Sequence, residues 1–296
     1  MISDPLPPNF SFGTPVGVYD SGFGGLTVLR QLRRQLPQLD YIYLGDSARG
    51  PYGGRDVDTV LDFAEQCVER LFEEGCRVIV VACHTVSCVA LRHLQHRYGS
   101  ENRRVLGVTI PAAEAAVGIT RGHIGFLGTA RTVASQTFRA EVRKLNADVR
   151  VTEIAAPLLA PIVEEVWEDT DIARLAVRRY VAEFSDIDTL VLGCTHYPLL
   201  EAAFLAEAPR GVNVLNPAPY VAHRFAAWRE RHPGFAPEGE GRLRVLSSGD
   251  RARFSTHAAR FLGETVPIVE HVGLKNGRLA LCPEGGEAIG QVVRLG

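Results

Sequence analysis

Short apolar, β-branched runs alternate along this chain with longer stretches of helical rhythm. The runs fall near 16–20 (VGVYD), 41–45 (YIYLG), 77–83 (RVIVVAC), 105–110 (VLGVTI), 123–128 (HIGFLG), 149–154, 188–194 (DTLVLGC), 212–215 and 242–247. Their apolar character is nearly continuous rather than alternating, as in strands covered by helices on both faces. Between them, residues 57–74 predict a helix: Val57, Val60, Leu61, Ala64, Val68, Leu71 and Phe72 recur at i, i+3, i+4, and Gly75 ends the run. Residues 171–184 follow the same rhythm. Strands alternating with helices predict an α/β fold with mainly parallel sheets.

Parts of the pattern occur twice. "GVYDSGFGG" (17–25) and "GFLGTARTV" (125–133) each run an apolar strand into small or polar residues, and "VIVVACHTVS" (78–87) and "VLGCTHYPLL" (191–200) each run one into a cysteine. The similar offsets predict two pseudo-symmetric α/β lobes, each a mainly parallel sheet flanked by helices. The expected division is 14–112 plus 212–296 for a discontinuous first lobe, 113–211 for the second, and 1–13 for a polar tail. Ligands of such sheets bind beyond the carboxyl ends of the strands, so all four stretches would face a shared cleft.

Composition narrows the field. With 32 basic residues against 34 acidic and no long basic run, the chain is not expected to bind nucleic acid or an anionic membrane surface. No stretch approaches ~18 apolar residues, so no span is expected. The first residues carry no secretion signal, which points to the cytoplasm, where the six cysteines would be free thiols. Only Lys144 and Lys275 stand against thirty arginines, and neither reads as buried, which disfavours a Schiff-base cofactor. Cysteine and histidine spacings match no zinc pattern. No cofactor or metal is expected.

The chemistry lies at the strand ends. A free thiol, with pKa ~8.5, is mostly neutral at neutral pH. Unpaired N–H groups where a strand opens a helix favour the thiolate, and Cys83 and Cys194 are both expected there. Two cysteines facing one carbon from opposite sides invert a stereocentre, one removing a proton while the other donates one. Ser21, Thr85 and Thr195, with backbone N–H groups, would hold a carboxylate and disperse the carbanion's charge.

"VYDSGFGGLTVLR", "YLGDSARGPYGGR", "VACHTVS" and "VLGCTHYPLL", continued by "LSSGDRARF" (246–254), resemble the glutamate racemase family of the Asp/Glu racemase superfamily. The resemblance implies a cofactor-independent racemase that supplies D-glutamate for peptidoglycan and works as a homodimer. It implies that Cys83 deprotonates the D-isomer and Cys194 the L-isomer, with Asp20 assisting near Cys83, and His196 and Glu164 near Cys194. Asp20, Ser21, Pro51, Tyr52, Gly53, His84, Thr85, Thr129, Thr195 and His196 are the implied substrate-binding positions. Where the family typically has asparagine after the first cysteine, this chain has His84. Histidine can donate to a substrate carboxylate or, as a cation, stabilise the Cys83 thiolate, but it is larger and can crowd the ammonium group.

Other readings remain open here. They are a related two-thiol enzyme such as an aspartate racemase, a catalytically silent amino-acid-binding relative, and a Cys–His hydrolase in which one sulfur attacks a carbonyl. Singly, each cysteine could be a buried thiol capping a core strand. Cys67, Cys76 and Cys282 read as packing residues, and Cys88, one turn after Cys83, reads either as packing or as pocket lining. The glycines of "SGFGG" are expected to permit close backbone approach rather than to cradle a phosphate.

Overall fold

A computed structural model describes residues 13–282. Among the described residues, eleven strands occur in chain order: β1 Val16–Asp20, β2 Tyr41–Gly45, β3 Val78–Val81, β4 Arg104–Gly107, β5 His123–Gly128, β6 Arg150–Ala155, β7 Thr189–Gly193, β8 Asn213–Leu215, β9 Leu243–Ser247, β10 Val269–Lys275 and β11 Arg278–Leu281. They form a seven-stranded sheet, ordered β11-β10-β9-β2-β1-β3-β4, and a four-stranded sheet, ordered β6-β5-β7-β8. Every pairing is parallel except the β10–β11 hairpin. The fold is α/β, as the alternation predicts.

The internal repetition is visible in the topology. The β2-β1-β3-β4 part of the large sheet and the whole β6-β5-β7-β8 sheet share one strand order. Asp20 ends β1 and Thr129 follows β5, the first strand of each set. Cys83 follows β3 and Cys194 follows β7, the third of each. Equivalent strand ends therefore carry the two sulfurs.

Strands β1, β2, β5 and β7 are buried at every position, which explains their unbroken apolar character. The helix Val57–Glu73 starts where Asp56 accepts a hydrogen bond from the Thr59 N–H and stops before Gly75, whose φ of +89° suits only glycine without strain. One apolar core runs from the large sheet (Val16, Val80) into the small one (Leu190, Leu192). It passes through the packed helices Leu26–Gln35 and Ala218–Arg231. The two sheets thus share a continuous floor.

Three expectations shift. Residues 108–110 continue the apolar run but belong to the start of the helix Thr109–Ile119, since periodicity alone cannot tell a short buried strand from a buried helix turn. That helix straddles the expected 112/113 division. Strand β8 pairs with β7 in the small sheet, so a boundary at 211/212 assigns it to the wrong lobe. The hairpin β10–β11 was not foreseen; residues 1–12 of the expected tail and 283–296 lie outside the described residues.

Candidate active site

Cys83 lies where β3 gives way to the helix His84–Val89 and is 5 % exposed. Its sulfur is 3.5 Å from the Ser21 hydroxyl, and the Val86 N–H of the new helix points at it. Both favour the thiolate, but burial and the nearby Asp20 carboxylate outweigh them and push the thiol up to about 12. Contrary to the expectation of an ionised sulfur at this strand end, Cys83 is a neutral thiol at rest. A negative charge at Cys194 adds a smaller upward push.

Cys194 is 7 % exposed and precedes a short 3-10 turn, Tyr197–Leu200, rather than the expected helix. Its sulfur is 3.8 Å from Nδ1 of His196, whose Nε2 is 3.0 Å from Glu164 Oε1. Burial pulls His196 down, but its bonds to Cys194 and Glu164 win and raise it to about 10. His196 is therefore an imidazolium at neutral pH, and a thiolate at Cys194 has a cationic partner. For Glu164, burial pushes up; the His196 contact and the nearby Arg253 and His257 more than offset it, leaving the carboxyl below its ordinary value. The neighbouring Glu165 is exposed and stands outside this line.

Asp20 joins the two halves. One oxygen accepts from the Gly22 N–H at 2.9 Å, and the other accepts from the Thr195 hydroxyl at 3.3 Å. Burial raises its carboxyl, opposed by His196 and by the Gly22 and Gly25 N–H groups. Glycine is required beside it. A Cβ on Gly24 would lie 2.2 Å from Thr195 Oγ1 and 2.6 Å from His196 Nδ1, and one on Gly25 would lie 2.5 Å from Asp20 Cβ. The expected close backbone approach of "SGFGG" is therefore observed.

A second bridge is made of threonines. Thr85 Oγ1 lies 3.0 Å from Thr129 Oγ1 and 3.2 Å from Thr132 Oγ1, and the latter two are 2.8 Å apart. Gly53 leaves room for Thr129; a Cβ there would lie 2.7 Å from Thr129 Cβ. Tyr52 is different: its hydroxyl donates to Asp46 and accepts from Tyr19 at 3.2 Å, inside the large sheet's core. Pro51 is exposed. His84 is buried away from charge, which lowers it to about 4, so it cannot serve as the cation beside Cys83. Cys88 contacts Thr109 at 3.3 Å and lines a separate groove with Arg92 and Glu141.

Thr132, Thr27 and Asn216 were not anticipated. Thr132 had a signal, since Thr129 caps its helix by accepting from the Thr132 N–H three residues on. Among the described residues, no group of three or more histidine, cysteine, aspartate or glutamate side chains is placed to hold a metal.

Two buried thiols lie at equivalent strand ends, Cys83 beside Ser21 and Cys194 beside His196, the side chains from which acid–base chemistry could be built. The pattern defining the Asp/Glu/Hydantoin racemase family matches residues 24–224, and the chain belongs to that family. Its relatives include a glutamate racemase of Thermus thermophilus, 41% identical over 262 residues, spanning 88% of this chain and 97% of that protein. The crystal structure of a Bacillus anthracis glutamate racemase superposes with a TM-score of 0.84 at 33% identity, covering 90% of this chain and 100% of that one. The Francisella tularensis enzyme, crystallised in complex with D-glutamate, gives 0.81 at 26% identity, with 88% and 97% covered.

Proposed function

We propose that this protein interconverts L- and D-glutamate by a two-thiol mechanism without a cofactor. The observation that carries this reading is the arrangement of Cys83 and Cys194 on equivalent strand ends, joined through Ser21, Asp20 and Thr195. The Francisella relative's complex with D-glutamate supports the choice of substrate.

With L-glutamate bound, the Cys194 thiolate, paired with imidazolium His196, removes the Cα proton. The neutral Cys83 thiol gives its own proton to the opposite face, and D-glutamate results. The reverse reaction needs the complementary pair: Cys83 as thiolate, helped by Ser21 Oγ and the Val86 N–H, and Cys194 as thiol. Hydroxyls of Ser21, Thr85, Thr129 and Thr195, with the N–H groups at the helix starts, would receive the α-carboxylate and the charge that develops on it. The buried Asp20 carboxylate would attract the ammonium group. Removing water from this setting strengthens each interaction.

On the same reading the two sheets form two lobes that close over the substrate. The protein would work as a homodimer in the cytoplasm, and its D-glutamate would supply peptidoglycan. Circular dichroism of L-glutamate incubated with the purified protein tests the activity: the signal should decay to zero as the racemate forms. Equal or faster decay with L-aspartate would instead make this an aspartate racemase.

A further inference from the structure

The helix that carries Glu164, Leu159–Glu164, ends in a turn that its sequence does not favour. The Val166 N–H donates to the Val163 carbonyl at 3.1 Å and the Trp167 N–H to the Ile162 carbonyl at 3.0 Å, with Val166 at a φ of +62°. A β-branched residue rarely adopts that conformation. The Val166 side chain is 54 % exposed, so its own burial does not hold it there. Strain of this kind persists where surrounding contacts over-determine the backbone.

One such contact comes from the other sheet's helices. Arg260 lies on the helix Arg251–Leu262, which packs on β10 of the large sheet and on the helix Leu26–Gln35. Its Nη2 donates to the Val163 carbonyl at 3.2 Å and to the Glu168 carboxylate, gripping the turn on both sides of Val166. Its Nη1 is 3.3 Å from Nδ1 of His257, one turn back on its own helix. Glu164 follows Val163 directly and reaches His196 Nε2 at 3.0 Å. The Phe261 ring, next to Arg260, stands edge-on to the His196 ring with 5.3 Å between centroids. One helix of the large sheet's side thus touches both members of the Glu164–His196 pair or their immediate support.

We propose that Arg260 is a positioning residue for the Cys194 half of the site: it holds the strained turn after Glu164 and so keeps the Glu164 carboxylate on His196. A guanidinium suits the task because its fixed fork can meet a carbonyl, a carboxylate and an imidazole at once. The other charges around the pair are Cys194 and Asp20 near His196, and Arg253 and His257 near Glu164. Arg260 acts on the pair through the backbone rather than through its charge. The consequence for racemisation rests on the two-thiol reading; the hold on Glu164 does not.

The test reads His196 directly, without turnover. Substrate-free protein labelled in its histidine rings is titrated by NMR, the His196 signal being assigned by its loss in His196→Gln. In Arg260→Met the His196 midpoint should fall by about one pH unit, the loss of one well-placed carboxylate partner. The sign is diagnostic. Removing a nearby cation by charge alone would raise an imidazolium's midpoint, so a fall reports displaced Glu164. A midpoint that is unchanged or raised in the folded variant overturns the proposal. Arg260→Met/Glu168→Met, which replaces the ion pair by apolar side chains, gives the same reading if the single variant does not fold. Hydrogen exchange at the Trp167 amide is the second measurement: it should speed up about tenfold relative to the helix Asp171–Val181 as the turn loosens, and an unchanged ratio also rejects the proposal. Adding Val166→Gly, which removes the strain, should return the midpoint toward that of the unaltered protein. None of these readouts uses racemisation, so loss of the glutamate reading and loss of this one are separately visible.

Discussion

The Thr195 hydroxyl donates to the Asp20 carboxylate over 3.3 Å, joining a residue at the end of β7 in the small sheet to one at the end of β1 in the large sheet. Together with the Thr85–Thr129–Thr132 bridge, this bond holds the surroundings of one sulfur against those of the other. Replacing Thr195 with valine keeps the shape and leaves a buried carboxylate oxygen short of a donor. Stability should fall by about 1–3 kcal/mol, read by urea unfolding, and racemisation should fall at least tenfold with the fold retained by circular dichroism.

Gly24 tests the same closeness sterically. A methyl group there would occupy space already taken by Thr195 Oγ1 and His196 Nδ1. Gly24→Ala should leave the unfolding midpoint within a few degrees while cutting kcat by about 10²-fold, because displacement by about 1 Å is enough to disrupt alignment. Wild-type turnover in this variant would show that the approach is not needed.

His196 sets an alkaline limit. Its raised value, about 10 against 6.5 when free, means the folded protein holds a proton that the unfolded chain releases in that interval. Its contribution is fully present below about 6.5 and is lost as pH rises through 10. Stability in urea should therefore decline between pH 7 and pH 10. Glu164→Gln removes the carboxylate that helps to hold that proton, so the decline should shrink in the variant.

His84 acts at the other end of the scale. Its folded value is about 4 against 6.5 when free, so the unfolded chain binds the extra proton. The stabilising contribution is present above about 6.5 and disappears as pH falls through 4. His84→Asn should lose less stability than the wild type between pH 7 and pH 4, a difference on the order of 3 kcal/mol, measured by urea unfolding at each pH.

Much of this fold was legible because burial on both faces leaves an unmistakable apolar run. Strands β1, β2 and β5 begin and end where those runs do. The run at 105–110 misled because Val108 and Ile110 look the same whether they extend a strand or open a buried helix. The hairpin β10–β11 carried an overlooked signal: Asn276 and Gly277 both have positive φ (53° and 76°), the conformation that an Asn-Gly turn between strands favours. At the site, the cysteines, Asp20, His196 and Glu164 stood out by motif. The packing around His84 did not, since it brings together Thr27 and Asn216, almost two hundred residues apart in the chain. Nor could spacing reveal that burial leaves Cys83 protonated, a balance of desolvation against two hydrogen bonds.

The most direct test of the two-thiol account is the isotope pattern of a single conversion. Each enantiomer of glutamate is incubated with the protein in deuterium oxide, and deuterium at Cα is followed by proton NMR before equilibrium. The account predicts deuterium in the newly formed enantiomer while the remaining substrate keeps its hydrogen, in both directions, with racemisation lost in both Cys83→Ser and Cys194→Ser. Glutamate that binds without any exchange at Cα, or racemisation that survives either substitution, contradicts it.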